Sequence, residues 1–413
     1  MLVDGDRLLT RLRALREIGA TPNRGVTREA FGPLDVAART TVQEWLVDAR
    51  FDVQVDAGAN LVGRRPGRTD RWLATGSHLD TVVDGGWLDG SYGVVAAVEI
   101  ATVLAAAPTL AHGVMVAAFA NEEGARGTDS MTGSRTVVGQ VDPAELARAD
   151  DTGCTLAERI RTADGAPADI DGARWPLEQL DAFVELHVEQ GPVLESRGHV
   201  LGVVPAITGR QALDVVLRGR PDHAGSTPMD LRHDALAAAA EVVLAVEAIA
   251  RDGRARVATC GHVTVEPNVR NVVPGTAVVS VELRDEDAAR IDAAVGELRT
   301  RVASIADTRG LTVEVVDGQL VPPVASARPV VHAVEAVAAG SGLGWSALPS
   351  GAGHDAQILG QHVPSGMIFV PSIGGVSHAP DEDTAVEHLV AGAQALLDTL
   401  LHLDRLGLDE ESR

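Results

Sequence analysis

Two kinds of hydrophobic pattern alternate along the first part of the chain. Leu8, Leu12 and Leu15 recur at helical spacing and predict an amphipathic helix, whereas short continuous apolar runs predict buried strands. The predicted elements are helices over 4–19, 38–49 and 92–107, strands over 51–55, 72–75, 114–120 and 182–188, and an Ala- and Asp-rich helical region between residues 121 and 180. Strands that alternate with helices are typical of a mostly parallel sheet covered by helices.

The pattern changes near residue 209. The next predicted elements are strands over 212–217, 256–265, 276–283 and 311–316 and helices over 234–250 and 285–306. Their βαββαβ order predicts a compact, ferredoxin-like α/β sandwich. After Pro322 and Pro323 the first pattern resumes, with a helix over 329–340, a strand over 366–370 and a helix over 384–404.

We therefore predict an α/β fold in which a smaller domain interrupts a larger one. The larger domain, with its mostly parallel sheet, comprises residues 1–209 and 323–413, and the inserted domain comprises residues 210–322. The hydrophobic content of 45% is ample for a large core. Because aromatic residues make up only 3% of the chain, alanine, valine and leucine must fill that core.

The charged residues exclude several chemistries. Asp and Glu number 58 against 35 basic residues, all of them arginine, and the formal net charge is -23. Without lysine there is no Schiff base, no P-loop lysine and no carbamylated-lysine metal bridge. The acidic balance also argues against nucleic acid or an anionic membrane as a partner. A nucleophile must therefore come from serine, cysteine, a carboxylate or a metal-bound water.

The remaining composition favours a soluble, cytoplasmic protein. Cys154 and Cys260 lie far apart in the sequence and indicate no disulfide framework. The first residues are acidic where a secretory signal would be basic. The most apolar stretch, residues 93–110, is interrupted by Glu99 and Pro108 and is too broken to span a bilayer.

Acidic residues and histidines follow the predicted strands. They are His78 and Asp80 after the 72–75 strand, Asp89 in a glycine-rich segment, Glu122 and Glu123 after the 114–120 strand, His187 within the 182–188 strand and His378 after the 366–370 strand. Open α/β sheets place their sites at the carboxyl ends of strands. Two histidines and one carboxylate suffice for one zinc ion, and three histidines with Asp89 and Glu123 suit two metals that share a carboxylate.

Each of these signals has an ordinary alternative. A single histidine at a strand end is more often structural than a metal ligand. A pair of glutamates usually belongs to a solvated surface, and glycines around an aspartate are typical of a turn. Glu122 and Glu123, however, directly follow a continuous apolar run, and five strand ends carry such residues together. The combination favours a metal site.

Seven segments together resemble a known family. They are GSHLDTVVDGGWLDG (76–90), FANEEGARG (119–127), VELHVEQGPVLE (184–195), DHAGSTPM (222–229), PNVRNVVPG (267–275), SGAGHDAQ (350–357) and MIFVPSIGGVSHAPDEDT (367–384). In this order they resemble the dinuclear-metal amidohydrolases of the metallopeptidase-like superfamily. The most similar branch is the hydantoinase/carbamoylase branch, which includes N-carbamoyl-amino-acid hydrolases, β-ureidopropionase and allantoate amidohydrolase.

The resemblance implies a metal centre with two divalent ions that share Asp89. One ion would be held by His78, Asp89 and His187, and the other by Asp89, Glu123 and His378. Glu122 would be the general base, and Asp80 would hydrogen-bond the far nitrogen of His78. Zinc is the first expectation for the metal, with manganese or cobalt as alternatives.

The resemblance also implies substrate contacts. His223 would stabilise the oxyanion and, as in relatives, would reach the active site of a partner subunit, which implies a homodimer formed through the inserted domain. Asn271 and Arg284 would bind a substrate carboxylate, and Gln190 and His354 would line the pocket. From the residues alone, a surface salt bridge of Arg284 to Asp285 or Glu282 is the simpler expectation.

Two segments depart from the family pattern. Gly127 stands where relatives have phenylalanine, and Gly209-Arg210-Gln211 stands where they have Gly-Gln-Arg. Neither departure removes a predicted metal ligand. Both put the shape of the pocket or the hinge in question, and with it the identity of the substrate.

The resemblance predicts a hydrolase of carbon–nitrogen bonds other than peptide bonds, acting on an N-carbamoyl-L-amino acid. An allantoate or ureidoglycolate amidohydrolase is the nearest alternative. An aminopeptidase is disfavoured by His187, where most peptidases of the superfamily have a carboxylate, and by the carboxylate-binding role of Arg284. An inactive binding protein is disfavoured by the complete set of predicted ligands and base.

Overall fold

The computed structural model describes residues 1–406 of the chain. Its strands are β1 (Asp52–Val55), β2 (Leu61–Arg65), β3 (Trp72–His78), β4 (Gly113–Phe119), β5 (Leu180–Val188), β6 (Leu201–Val204), β7 (Ala206–Ile207), β8 (Gly209–Arg218), β9 (Asp222–His223), β10 (Val257–Thr259), β11 (Val263–Glu266), β12 (Val272–Val273), β13 (Thr276–Asp285), β14 (Thr312–Val321), β15 (Val324–Ala325), β16 (Trp345–Ala347) and β17 (Ser365–Val370).

The α-helices are α1 (Gly5–Glu17), α2 (Pro33–Asp48), α3 (Ser91–Ala105), α4 (Thr132–Val137), α5 (Pro143–Leu146), α6 (Leu156–Thr162), α7 (Val193–Arg197), α8 (Ala235–Arg251), α9 (Ala288–Arg309), α10 (Arg328–Gly340), α11 (Asp355–Leu359) and α12 (Val386–Leu406). Short 3-10 turns occupy Ala125–Gly127, Pro167–Ala173, Leu177–Gln179, Met229–Leu231 and Ile373–Gly375. None of the helices within residues 1–406 has the length and hydropathy that crossing a membrane requires.

The chain divides into two compact units. The larger unit comprises Met1–Ala206 and Ala325–Arg413, and the smaller unit comprises Ile207–Val324. The larger unit is therefore built from two separate pieces of sequence.

The larger unit contains an eight-stranded sheet in the order β1-β2-β4-β3-β5-β17-β6-β16. The central strands β4, β3, β5 and β17 run parallel to one another, and β6 and β16 form a further parallel pair. Strand β17 lies between β5 and β6, although it follows both of them by a long stretch of chain. The prediction of a mixed α/β fold with a mostly parallel sheet is confirmed.

Burial explains why these segments form the core. Every residue of β4 and β5 is buried, as expected for parallel strands with both faces covered. Helix α3 is buried along most of its length and packs against the sheet. On α1 the buried side chains are Leu8, Leu9, Leu12 and Leu15, the stripe that the helical spacing predicts.

The smaller unit contains an antiparallel sheet in the order β10-β13-β8-β14, with β11 also paired to β13. Alternate residues of β13, namely Ala277, Val279, Val281 and Leu283, are buried and belong to one core with helices α8 and α9. The intervening residues of β13 project from the other face and are partly exposed.

Three sequence predictions differ from the structure. The single strand predicted over 256–265 is two strands, β10 and β11. Three residues lie between Thr259 and Val263, whereas only two lie between their partners on β13, Glu282 and Val279. The extra residue forms a bulge that interrupts the strand. The helical region predicted up to residue 180 contains only short helices and 3-10 turns, because glycine or proline recurs every few residues. The short strands β2, β6 and β16 escaped prediction.

Candidate metal centre

Asp89 lies at the centre of the predicted site, in the loop between β3 and α3. Its Oδ1 lies 3.1 Å from Nε2 of His187 and 3.5 Å from Nε2 of His78. Its Oδ2 lies 3.0 Å from Nε2 of His378. The two oxygens of one carboxylate thus face two different sets of histidines.

Two buried histidines present the same nitrogen to Asp89. Nδ1 of His78 lies 2.9 Å from the backbone carbonyl oxygen of Asp80, and Nδ1 of His187 lies 2.9 Å from that of Val188. A carbonyl only accepts hydrogen bonds, so each Nδ1 carries a proton and donates it. Each Nε2 therefore keeps a lone pair that faces Asp89, which is the tautomer of a metal-binding histidine.

The other predicted site residues follow the ends of β4 and β17. Oε1 of Glu123 lies 3.4 Å from Nε2 of His378, and Oε2 of Glu122 lies 3.9 Å from Nε2 of His78. His378 and Asn121, the residue before this glutamate pair, adopt left-handed backbone conformations, with φ of 53° and 55°. Such strained conformations are typical of functional sites and turn the chain sharply at the strand ends.

Asp80 acts differently from the expectation. Its carboxylate oxygen lies 3.8 Å from Nδ1 of His78, too far for a hydrogen bond, and the backbone carbonyl of Asp80 is the acceptor instead. The carboxylate accepts from the backbone N–H groups of Glu122 at 3.3 Å and Glu123 at 3.1 Å. Asp80 therefore joins the loop after β3 to the glutamate pair.

The charges of the site are strongly coupled. Burial alone would raise the pKa of Asp89, but the three histidine rings around its carboxylate hold it well below its ordinary value. Burial, with the nearby negative charge of Asp89, raises the pKa of Glu123 to about 7. Burial and neighbouring carboxylates also raise the pKa of Glu122 well above its ordinary value. These acidic side chains lie in an environment that favours added positive charge.

Gly90 makes the close approach of Asp89 to His78 possible. Its φ is 61°, which glycine adopts at little cost, and a Cβ at this position would lie 2.5 Å from three atoms of the His78 ring. Glycine at position 90 is therefore required by both backbone conformation and space.

The structure places two predicted pocket residues beside the predicted metal ligands. Nε2 of Gln190 donates to Oδ2 of Asp89 at 3.0 Å and to the hydroxyl of Ser377 at 3.2 Å, while its Oε1 is buried without a hydrogen-bond partner. His354 is buried, its Nε2 lies 2.9 Å from the Ser350 hydroxyl, and its ring lies edge-on to His187 at 4.6 Å. His354 therefore packs against His187, one of the predicted metal ligands.

Three groups of side chains within residues 1–406 could hold a metal ion. They are His78–Asp89–His187, Asp89–Glu123–His378 and Glu185–His187–His354. In the third group Glu185 already accepts from the Ser77 hydroxyl and the Ala356 amide, and His354 is bonded to Ser350. The first two groups share Asp89 and fit a pair of ions, because their three imidazole nitrogens and two carboxylates suit zinc, manganese or cobalt.

Sequence reasoning missed Arg28, which is fully buried. Its guanidinium donates to the carbonyl oxygens of Leu79 at 2.6 Å, Leu15 at 2.8 Å and Ile18 at 3.0 Å, and to the Ser91 hydroxyl at 2.7 Å. It therefore ties the segments beside His78 and Asp89 to the end of α1. A lone arginine in a loop carries no sequence signal of such burial.

Three predicted substrate residues lie in the smaller unit. His223 on β9 is paired with Val272 on β12, and the Ala224 amide donates to the carbonyl oxygen of Asn271 at 2.9 Å, so His223 and Asn271 are neighbours. Arg284, near the end of β13, donates from Nε to Glu282 at 2.7 Å. This ion pair is the salt bridge that the residues alone suggested.

Comparisons with known proteins agree with one another. The family model described as peptidase family M20/M25/M40 matches residues 74–402. An N-carbamoyl-L-amino acid amidohydrolase of Geobacillus stearothermophilus is 36% identical over 405 residues, covering 97% of this chain and 99% of the relative. An allantoate amidohydrolase of Escherichia coli strain K12 is 34% identical over 400 residues, covering 94% and 95%.

A solved structure agrees as well. A crystal structure of a hydantoinase/carbamoylase family amidase from Burkholderia multivorans superposes with a TM-score of 0.91 at 37% identity, covering 97% of this chain and 98% of the other. Fold, sequence and the arrangement around Asp89 all point the same way. The chain belongs to the peptidase family M20/M25/M40, in its hydantoinase/carbamoylase branch.

Proposed function

We propose that this protein is a metal-dependent amidohydrolase that cleaves the carbamoyl C–N bond of an N-carbamoyl-L-amino acid. The observation that carries the proposal is the position of Asp89, whose two oxygens face His78 and His187 on one side and His378 on the other. Glu122 lies beside this arrangement and is not needed as a ligand.

The proposed ligand sets follow the two groups that share Asp89. His78, Asp89 and His187 would hold one divalent ion, and Asp89, Glu123 and His378 the other. When bound, such ions polarise the ureido carbonyl and lower the pKa of the attacking water. Zinc is the first candidate, and manganese and cobalt suit the same donors.

Glu122 would move the proton in this reaction. Its carboxylate is buried, and the Asp80 carboxylate fixes its backbone through the Glu122 amide. From this position Glu122 would take a proton from the attacking water and pass it to the leaving nitrogen. One water is consumed, and after the carbamate breaks down the products are ammonia, carbon dioxide and the free amino acid.

His223 has its Nδ1 occupied as an acceptor, which leaves Nε2 as the ring donor that an oxyanion needs. The backbone N–H groups of Gly225 and Ser226 both donate to its Nδ1 at 3.1 Å, so Nδ1 acts as an acceptor and the ring proton lies on Nε2. The side chain is exposed, which leaves Nε2 accessible. This geometry supports a role for His223 in stabilising the tetrahedral oxyanion.

The smaller unit also supports a homodimer. His223 and Asn271 lie close to the Thr276 end of β13, whereas Arg284 lies eight residues further along this strand, about 26 Å away at 3.3 Å per residue. A carbamoyl amino acid is too small to span that length. If His223 and Arg284 serve the same substrate, they must come from different subunits.

Ammonia release from a substrate panel tests the function. The panel comprises several N-carbamoyl-L-amino acids, N-carbamoyl-β-alanine, allantoate and ureidoglycolate. We expect the highest kcat/KM for an N-carbamoyl-L-amino acid. A clear preference for allantoate or ureidoglycolate would select the alternative that the Escherichia coli relative represents, and release from none of them would refute the proposal.

Two neighbouring variants test the mechanism. Glu122→Gln should keep both metals and lose several orders of magnitude in turnover, because only the proton carrier is removed. Glu123→Gln is the matched control, since it should lose metal as well as activity. A Glu122→Gln protein with wild-type turnover would show that another group moves the proton.

A further inference from the structure

Glu382 lies in the segment between His378 and α12 and is almost fully buried. Its Oε1 accepts from the backbone N–H groups of Leu88 and Asp89, both at 3.0 Å. Its Oε2 accepts from the Ser377 hydroxyl at 2.7 Å. One carboxylate therefore joins the loop that carries Asp89 to the loop that carries His378.

The connection closes into a ring of hydrogen bonds. Ser377 donates to Glu382 and accepts from Nε2 of Gln190 at 3.2 Å, and the same Nε2 donates to Oδ2 of Asp89 at 3.0 Å. Each hydroxyl and amide proton in this ring thus has a defined direction. The ring fixes both the backbone of Asp89, through Glu382, and its carboxylate, through Gln190.

The donors to Glu382 are uncharged. Taking a carboxylate out of water costs free energy, which an ion pair or good hydrogen bonds must offset. Here the compensation comes from two backbone amides and one hydroxyl, each next to or part of a proposed metal-ligand residue. This placement is typical of a group that orients ligands.

Gly86 leaves the space that Glu382 occupies. A Cβ built on Gly86 would overlap the Glu382 carboxylate, so any larger residue at position 86 would displace it. The glycine-rich segment before Asp89 and the acidic segment after His378 therefore fit each other, although almost 300 residues separate them.

We infer that Glu382 is a positioning residue that orients Asp89 and His378 toward the second metal ion. The inference rests on the proposed function in one respect, the role of Asp89 as a ligand shared by two ions. Glu382 itself is not a ligand in this assignment, because both of its oxygens are used by the loops that it joins.

The test replaces the native metals with Co2+, whose visible absorption reports ligand geometry, and titrates the apoprotein with Co2+ by calorimetry. The variant Glu382→Gln keeps the size of the side chain but replaces one acceptor oxygen with an amide donor. We expect binding of the second ion to weaken about 10- to 100-fold, with an altered cobalt spectrum. Binding of the first ion should change less.

Two further variants separate positioning from general damage. Gly86→Ala should displace the intact Glu382 carboxylate and reproduce the weak second site, and the double variant Gly86→Ala/Glu382→Asp should recover part of the affinity because the shorter side chain leaves room. Glu99→Gln is the matched control: Glu99 is also fully buried, but its partners Arg7 and Arg11 lie at α1. It should leave the cobalt spectrum unchanged.

The outcomes are distinguishable. Wild-type protein that binds no pair of cobalt ions would overturn the proposed function, and this role with it. Wild-type protein that binds two ions, with a Glu382→Gln variant that has the same affinities and spectrum, would overturn the positioning role alone. If Glu382→Gln does not fold, Gly86→Ala decides the question by the same two readouts.

Discussion

Arg210 and Arg284 lie directly opposite one another on the antiparallel strands β8 and β13. Residues in such a pair project from the same face of the sheet. Gln319 accepts from Arg210 at 2.9 Å, and Glu282 accepts from Arg284 at 2.7 Å. Two guanidinium groups thus share one face of the smaller unit in a chain whose net charge is -23.

The pairing of Arg210 with Arg284 shows what the departure from the family pattern at Gly209-Arg210-Gln211 changes in the structure. Successive residues of a strand point to opposite faces, so the order Gly-Gln-Arg would place the arginine on the face away from Arg284. We predict that exchanging the two residues, Arg210→Gln with Gln211→Arg, raises KM for a carboxylate substrate about 2- to 5-fold, the range of a partly exposed charge contact. Steady-state kinetics would measure it.

Arg218→Gln is the control for that exchange. Arg218 lies on the same strand and face, paired with Thr276 at the other end of the sheet. The KM of the Arg218→Gln variant should match that of the wild type. An exchange variant with unchanged KM would place the substrate carboxylate away from Arg210.

Mixed dimers test the shared site. We expect His223→Ala and Glu122→Gln proteins, each nearly inactive alone, to regain about one quarter of wild-type activity when random mixing forms hybrid dimers with one intact site. The control pairs His78→Ala with Glu122→Gln, whose lesions fall in the same half of each site, and should show no recovery. Equal recovery in both mixtures would contradict the assignment of His223 to the partner.

The buried hydrogen bonds of Arg28 should stabilise the folded chain, although Arg28 is not a proposed substrate contact. Arg28→Met removes the side-chain donor to the buried carbonyl groups of Leu79 and Ile18, so the free energy of unfolding should fall by about 3 kcal/mol or more. Urea denaturation measures this change. Arg13→Met, at an exposed position of α1, should stay within about 0.5 kcal/mol of the wild type; similar losses in both variants would refute the prediction.

The buried carboxyl group of Asp56 should make the free energy of unfolding depend on pH. Burial raises its pKa from 3.8 to about 6, despite hydrogen bonds from Gly58 and Asn60. Between these two values the folded chain binds more protons than the unfolded chain, so the free energy of unfolding falls as the pH rises. The free energy of unfolding of the wild type should be about 2 kcal/mol lower at pH 7 than at pH 4 because of this carboxyl, and denaturation at the two pH values should show that contribution disappear in Asp56→Asn.

The exposed Asp52 provides the control for this measurement. Asp52→Asn removes one carboxylate from β1, the strand that precedes Asp56, and should keep the wild-type pH dependence. If Asp56→Asn also keeps it, the Asp56 carboxyl titrates alike in the folded and unfolded chain.

Local sequence was enough for some parts of the site. Asp89, Glu123 and His187 were identified because each combines a reactive side chain with a strand end or a glycine-rich turn, and the family motifs gave their roles. The family resemblance implied a hydrogen bond between Asp80 and His78, but it could not reveal which oxygen of Asp80 accepts from the ring. That choice depends on how the loop after β3 turns.

The contacts of distant segments were beyond sequence reasoning. Glu382 bonds the Leu88 and Asp89 amides across almost 300 residues, and nothing in its own segment indicates that partner. The region from 121 to 180 failed for a different reason. Its alanines favour helix, but Gly139, with a positive φ, follows the end of α4, and Pro143 begins a new short helix, α5, only four residues later.

The place of β17 between β5 and β6 constrains how the protein is made. A ribosome completes β5 and β6 first, then synthesises residues 205–364, including the whole smaller unit, before β17 emerges. Until then two buried, apolar strands carry unpaired edges, which favours association with other chains. His378 follows β17, so the emerging chain cannot bring all the proposed metal ligands together before the smaller unit has been synthesised. From the strand order we therefore expect the proposed metal site to be completed only after the smaller unit has been synthesised.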